Sequence, residues 1–422
     1  MNKKICKELI SIAFPAMGEN LLQMLMGMVD SYLVASLGIV ALSGVSIANN
    51  LLAVYQAVFI ALAAAVSSQL AHVVGKEKGM QITAIVTDSV KLTVYVGVFL
   101  GILAVILGPT LLTSLGAERE VAQLGGLYLI LVGGSILLLG LMTCLSGILR
   151  TLGQPRYPMY ISLFSNLLNA VFSAIAVFVL HTGVAGVAFG TILSRIIGCG
   201  LLWSRLSISI KPSAWSVDKE LVRLALPAIG ERLMMRAGDV VIVGMITGLG
   251  TAVVAGNAIG ETITQFNYMP TLGISVATLI MTAKSRQDSL AVQRIYRIGL
   301  GLSLIFMFVI GGISYLAGPL LISLFTMDVQ VAQASQTVLL YSVLGVPFTA
   351  ATLVFTGLWQ GMGNARLPFY ATGIGMWVVR IGLAYFLIKN FQLGLPSIWL
   401  ATIVDNAFRA SLLYVRYRYS TG

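Results

Sequence analysis

Charge is what this 422-residue chain has least of. Only 10% of its residues are Asp, Glu, Lys or Arg, where a soluble domain carries roughly 25%. Polar residues are too few to clothe a water-facing surface, so a soluble globular fold is excluded. Histidine is nearly absent, with His72 and His181 far apart, and the three cysteines, Cys6, Cys144 and Cys199, form no CxxC pair. That leaves no disulfide framework, no ligand cluster for a metal and no Cys/His catalytic arrangement. No Gly-rich nucleotide loop followed by Lys is present, which argues against direct ATP drive. The N-terminus, MNKKICKELI, runs into an apolar helix without a small-residue cleavage site and reads as a retained first span.

What is present is apolar sequence, 58% of the residues, with a mean hydropathy of +0.95. Runs of about 20 apolar residues, enough to cross a hydrocarbon core, recur along the whole chain. Twelve are expected, at about 9–37, 41–73, 84–108, 120–146, 157–180, 184–206, 219–247, 253–282, 294–317, 331–357, 367–388 and 394–415. Pro15, Pro227 and Pro270 fall inside them and are expected bend sites, because a helical proline removes a backbone hydrogen bond.

The net charge of +11 would suggest nucleic acid in a soluble protein, but here it follows topology. Lys3, Lys4, Lys7, Lys76, Lys78, Arg150, Arg156, Lys211, Lys219, Lys284, Arg286, Arg366, Arg416 and Arg418 mark one set of span ends. The opposite ends hold Arg119 and Lys389 beside Glu118, Glu120 and Asp328. The bias puts both termini in the cytoplasm of a multi-pass plasma-membrane protein, bacterial or archaeal.

The chain also repeats itself. PAMGE at 15–19 returns as PAIGE at 227–231, and Leu37-Gly38 as Leu249-Gly250. LSGILRTLGQPRYPMY (145–160) matches FTGLWQGMGNARLPFY (355–370), and Gly183 and Thr191 fall on Gly394 and Thr402. Six spans per copy give both copies the same topology, a parallel repeat about an axis along the membrane normal, as in transporters whose halves rock. The fold class is therefore an all-α integral membrane protein of twelve helices in two six-helix lobes, 1–206 and 219–422, joined by a cytoplasmic linker at 207–218.

The copies differ at one telling place. Asp30 sits in the second half of the first span, where the second copy has Ile242. An ionisable group at that depth marks an ion or substrate path. A carboxyl out of water resists ionisation, so it exchanges a proton or stays charged only beside a cation. Other intramembrane polar groups have quieter readings. Arg236 and Asp239, three apart on one helical face, read as an ion pair, as do Arg380 and Asp405 on the last two spans. Glu19 and Glu231, at equivalent repeat positions, read as structural, bonding backbone freed at the proline bends. Glu261 reads equally as structural or functional, with Gln265 and Asn267 beside it suggesting a polar cavity wall. Gln23, Met26 and Asn166 complete the candidate cavity lining. The methionines of the first and seventh spans read first as core filler.

P-x-x-x-E-N-L-L-Q at 15–23, Val29-Asp30, LRTLGQPRYP, WQGMGNARLP, GVAGVAFGT at 183–191 and WVVRIGL at 377–383 carry a resemblance. The chain resembles the multidrug and toxic compound extrusion (MATE) family over essentially its whole length. That resemblance implies export of amphiphilic, often cationic, small molecules driven by an inward proton or sodium gradient, with no other cofactor, no metal and a monomeric protein in the bilayer. In branches with an amino-terminal cation site it also implies an Asn, an Asp and a Thr around the first-span Asp. These fall on Asn169, Ser173 and Thr191, so one of two carboxylates is replaced here. The acids of the carboxy-terminal site of the NorM-like branch would fall near Met235 and Thr349, and both are missing. Losing a carboxylate weakens a sodium site and favours proton coupling. The alternatives are a lipid-linked oligosaccharide flippase of the same superfamily, kept open by Arg195, Arg232 and Arg236, and, more remotely, a membrane enzyme, for which two isolated histidines supply no catalytic cluster.

Overall fold

The computed structural model describes residues 2–76, 79–114, 118–206 and 217–421. Lys78 and positions 207–216 of the expected linker, Lys211 among them, lie outside the described residues. The described residues are helical nearly throughout. The helices are α1 (Asn2–Ala35), α2 (Ile39–Val74), α3 (Gly79–Ser114), α4 (Arg119–Tyr128), α5 (Ile136–Thr151), α6 (Arg156–Phe178), α7 (Gly183–Ser204) and α8 (Lys219–Thr247). They continue with α9 (Thr251–Lys284), α10 (Ser289–Leu316), α11 (Gly318–Ser323), α12 (Val329–Leu344), α13 (Val346–Gly361), α14 (Arg366–Gly373), α15 (Ile381–Phe391) and α16 (Leu395–Thr421). Short π-helical turns, Leu129–Gly133 and Ile374–Arg380, follow α4 and α14.

Eight segments are single stretches long and apolar enough to cross a membrane. Two more spans are bent pairs, α4 with α5 at 45° and α12 with α13 at 58°. With α8 and α9, of 29 and 34 residues, the layout is the expected twelve. The sharp bends fall at Gly134-Ser135 and at Gly345-Val346-Pro347, where small residues and a proline interrupt the helical ladder. Pro15, Pro227 and Pro270 lie inside helices that run on through them.

The repeat is structural as well as sequential. In one half α2 packs on α3, α4 and α5; in the other α9 packs on α10, α12 and α13. The α6–α7 pair has its counterpart in α14 and its π turn against α16. Even the left-handed backbone positions pair up: Gly38 (φ 112°) with Gly250 (108°), Gly153 (89°) with Gly363 (83°), and His181 with Gln392, both 50°. Close packing rests on small residues, as lipid supplies no hydrophobic drive between helices. A Cβ on Gly44 would stand 2.6 Å from the Val121 carbonyl, and one on Gly256 2.6 Å from that of Val331, the matching contact in the other copy.

Two compact units emerge, Gly18–Ala225 and Met1–Met17 with Leu226–Gly422. The chain changes unit two residues after Pro15, inside PAMGE, and one residue before Pro227, just ahead of PAIGE. In the second unit the close approach of α1 to α9 is set by Gly273, whose Cβ would sit 2.7 Å from the Ala13 carbonyl. In the first, Asp218 is held by Gln69 at 2.5 Å, and its backbone N–H donates to Asp88 at 3.2 Å.

Candidate functional site

In the unit Gly18–Ala225 the polar groups gather where α6 and α7 meet α1. The two helices pack through small residues: Ser165 Oγ donates to the Ser194 carbonyl at 2.9 Å, and a Cβ on Gly190 would stand 3.0 Å from Ser173 Oγ. This close approach turns Asn169 and Ser173, one helical turn apart on α6, into a buried row. Asn169 Nδ2 donates to both oxygens of Asp30, at 3.1 Å each. Ser173 Oγ donates to Asn169 Oδ1 at 3.3 Å, fixing the orientation of the amide. The structure thus brings Asp30, Asn169 and Ser173 into one hydrogen-bonded row. Thr191 is buried on α7 and donates to its own helix at Val187, 3.1 Å away. The Tyr128 hydroxyl lies beside it and within electrostatic reach of Asp30.

One amide is a thin shell for a carboxylate, which can accept about four hydrogen bonds. Among the described residues no other hydrogen bond reaches Asp30. Its unused lone pairs are free to accept a proton or another cation. Tyr128 and Arg195 are the neighbours missing from the expected set. Arg195 is one turn along α7 from Thr191 and acts electrostatically on Asp30, Tyr128 and Cys199. The signal for Tyr128 lay in the glycines around it, which permit the π turn that starts at the next residue; such turns are frequent at functional sites.

The cavity candidates divide between the units. Gln23 accepts from Gln56 Nε2 at 3.3 Å, Met26 is half-buried, and the Asn166 amide nitrogen is buried without a partner among the described residues. In the other unit Glu261 and Gln265 are both exposed. Glu261 lies beside Asn257 and Asp239, and Asn257 accepts from Trp399 Nε1 at 3.1 Å. Asn267, read as cavity wall, is fully buried: it donates to Ser342 and accepts from Ser314, at 3.3 and 3.0 Å.

In the second unit the place of the carboxylate site is apolar, with Ile242, the counterpart of Asp30, packed among Val338, Met376 and Ile398, and the buried charges form an ion-pair network between the second π turn and α16. Asp405 is completely buried and receives Arg380 Nε and Nη2 at 2.9 and 2.8 Å and Arg409 Nη2 at 3.0 Å. Arg380 ends the π turn, and Gly375 within it lies against the Asp405 carboxylate and the Arg409 side chain. Arg409 also donates to Asn406 and Thr372, and Thr372 to buried Glu231. Glu231 accepts from Gln360 at 3.3 Å, and its repeat partner Glu19 lies 3.3 Å from Arg150 Nη2. Both glutamates thus hold side chains from the end of the fourth span of their repeat, and not the backbone freed by a proline. Arg236 and Asp239 form a loose pair at 4.0 Å, about half exposed.

These features match a known family. The MatE family model covers residues 15–175 and 227–386, both repeats. The chain belongs to the MatE family. It is 31% identical over 423 residues to the "Probable multidrug resistance protein NorM" of Thermotoga maritima, covering 97% of this chain and 91% of that one. It is also 22% identical to the "Uncharacterized transporter YisQ" of Bacillus subtilis, over 97% and 93% of the two chains. Among solved structures, a multidrug resistance MATE family transporter in an outward-facing conformation superimposes with a TM-score of 0.91 at 21% identity, covering 99% and 96%. A MOP superfamily transporter from Pyrococcus furiosus gives 0.90 at 20% identity, with the same coverage. The MATE fold of this multi-pass membrane protein is established by these likenesses.

Proposed function

We propose that this MATE protein is a secondary antiporter that exports amphiphilic, cationic small molecules in exchange for protons, with Asp30 as the exchanging group. The observation that carries the reading is the under-bonded carboxylate itself: one amide donor, a neutral Ser173 where a second acid would favour sodium, and placement within a membrane-spanning helix. The multidrug-resistance names of its relatives support export of drug-like compounds. In the cycle, the outward-open protein takes a proton on Asp30, which removes the negative charge that held the cationic substrate, and substrate leaves. Reorientation returns the proton to the cytoplasm, where the ionised carboxylate binds the next substrate. Both termini are cytoplasmic, and the protein acts as a monomer in the plasma membrane.

The test is ethidium efflux from de-energised vesicles under an imposed proton or sodium gradient, for the wild type and Asp30→Asn. Efflux driven by protons alone and lost in the variant supports the reading. Sodium-driven efflux that survives the substitution refutes it and moves the cation site to the other repeat. Absence of efflux under both gradients in folded wild type refutes multidrug export and favours lipid flipping.

A further inference from the structure

Among the described residues of the unit Gly18–Ala225, Arg195 is the intramembrane cation that Asp30 feels. It rises from α7 one turn beyond Thr191 and interacts electrostatically with Tyr128, Asp30 and Cys199. Its Nη1 is withdrawn from solvent and has no hydrogen-bond partner among the described residues, an expensive arrangement for a guanidinium, whose N–H groups are otherwise satisfied when buried. Ion-pair contact with Asp30 is absent among the described residues: both carboxylate oxygens face Asn169 instead. The guanidinium is close enough to act on the carboxylate and yet is not consumed by it.

We infer that Arg195 sets the ion specificity of this site: its tethered positive charge occupies, beside Asp30, the electrostatic place that a sodium ion would need. The inference rests on the reading of Asp30 as the exchanging group and names what makes the exchange proton-specific. Hard metal cations require several oxygen ligands and a surplus of negative charge. Here a single carboxylate has one guanidinium within electrostatic reach, and the residue on the next turn from Asn169 is a neutral serine, so the pocket has no surplus to offer. A sodium ion would be the second positive charge beside a single negative one, and like charges at such range in low dielectric repel strongly. A proton escapes this penalty because it binds covalently to one oxygen and needs no ligand shell. Its arrival leaves Arg195 as the uncompensated charge of the pocket, which repels a cationic substrate at the moment of release. Removing the guanidinium while keeping Asp30 restores the negative surplus and opens the site to sodium.

The experiment is equilibrium binding of radioactive sodium to purified, detergent-solubilised protein by scintillation proximity, for the wild type, Arg195→Gln, Arg195→Met, Arg195→Lys and the double variant Arg195→Gln with Asp30→Asn. Wild type and Arg195→Lys are expected to show no saturable sodium binding. Arg195→Gln and Arg195→Met are expected to gain it, at least about tenfold tighter than any residual wild-type binding, and the double variant to lose it. Asp30-dependent sodium binding by wild type, or by Arg195→Lys, overturns the inference. So does a neutral variant that elutes as folded protein and remains blind to sodium. Equilibrium binding needs no transport, so loss of proton coupling at Asp30 in the vesicle assay and failure of this inference are separate results.

Discussion

Asp405 is the carboxylate whose loss this fold should feel most. It is wholly buried on α16, with three guanidinium nitrogens on Oδ2 between 2.8 and 3.0 Å and Arg409 Nε 3.0 Å from Oδ1. Substituting Asp405→Leu leaves Arg380 and Arg409 facing each other with no counter-charge. Breaking a buried pair in this way costs about 3–5 kcal/mol, because the remaining charge is desolvated without compensation. Two guanidiniums share the loss here, so the upper part of that range is expected, a shift of about three orders of magnitude in the unfolding equilibrium. Unfolding in mixed SDS–detergent micelles, followed by the fluorescence of the five tryptophans, measures it. The control is the triple variant with Arg380→Leu and Arg409→Leu added. Replacing a whole buried ion cluster by apolar residues is often neutral or stabilising, so the triple variant should recover most of the loss. If Asp405→Leu costs less than about 1 kcal/mol, or the triple variant is worse than the single one, the charges are not mutually compensating and the reasoning fails.

Other expectations follow from the repeat and its glycines. Arg150→Ala strands Glu19 and should cost about 2–4 kcal/mol in the same assay, while Arg150→Gln, which copies the Glu231–Gln360 pairing of the other repeat, should cost about 1 kcal/mol. Equal costs would show that Glu19 does not need a partner there. Gly38 adopts φ 112° and ψ 166°, a region reserved for glycine, and a methyl group at its Cα would meet only open space. Gly38→Ala should therefore cost about 1–3 kcal/mol by backbone strain alone. Gly244, also in open space but within α8, should gain about 0.5–1 kcal/mol as alanine. Thermal melts of the two variants moving the same way would contradict the contrast.

Much of the site could be read without coordinates. Asp30 stood out because a lone acid in an apolar run has few innocent explanations, and the family pattern placed Asn169 and Ser173 beside it. Arg380 and Asp405 were legible as a pair because both are costly alone on neighbouring spans. Arg409 was not: four residues from Asp405, it belongs to no repeated motif, and only the fold brings its guanidinium onto that carboxylate. The partners of Glu19 and Glu231 were also hidden, since Arg150 and Gln360 belong to loop motifs more than a hundred residues away. Asn267, expected at a cavity wall beside Glu261, proved to be a buried link between helices; periodicity places a residue on a helix face but not which neighbour covers that face.

Composition and hydropathy by themselves determined that this chain spans a membrane, and the duplicated PAxGE, Arg-x-Pro and glycine motifs determined that it does so as two like-built halves. Those properties are sums and spacings along the chain, and lipid enforces them because every backbone polar group must be satisfied within the helix that carries it. Tertiary structure alone decided which buried charges meet. It gave Asp30 a single amide and left Arg195 out of ion-pair contact nearby, and it enclosed Asp405 between two arginines. Such pairings depend on interhelical distances of a few ångströms, set by where glycines and serines let backbones close, and no one-dimensional pattern specifies them.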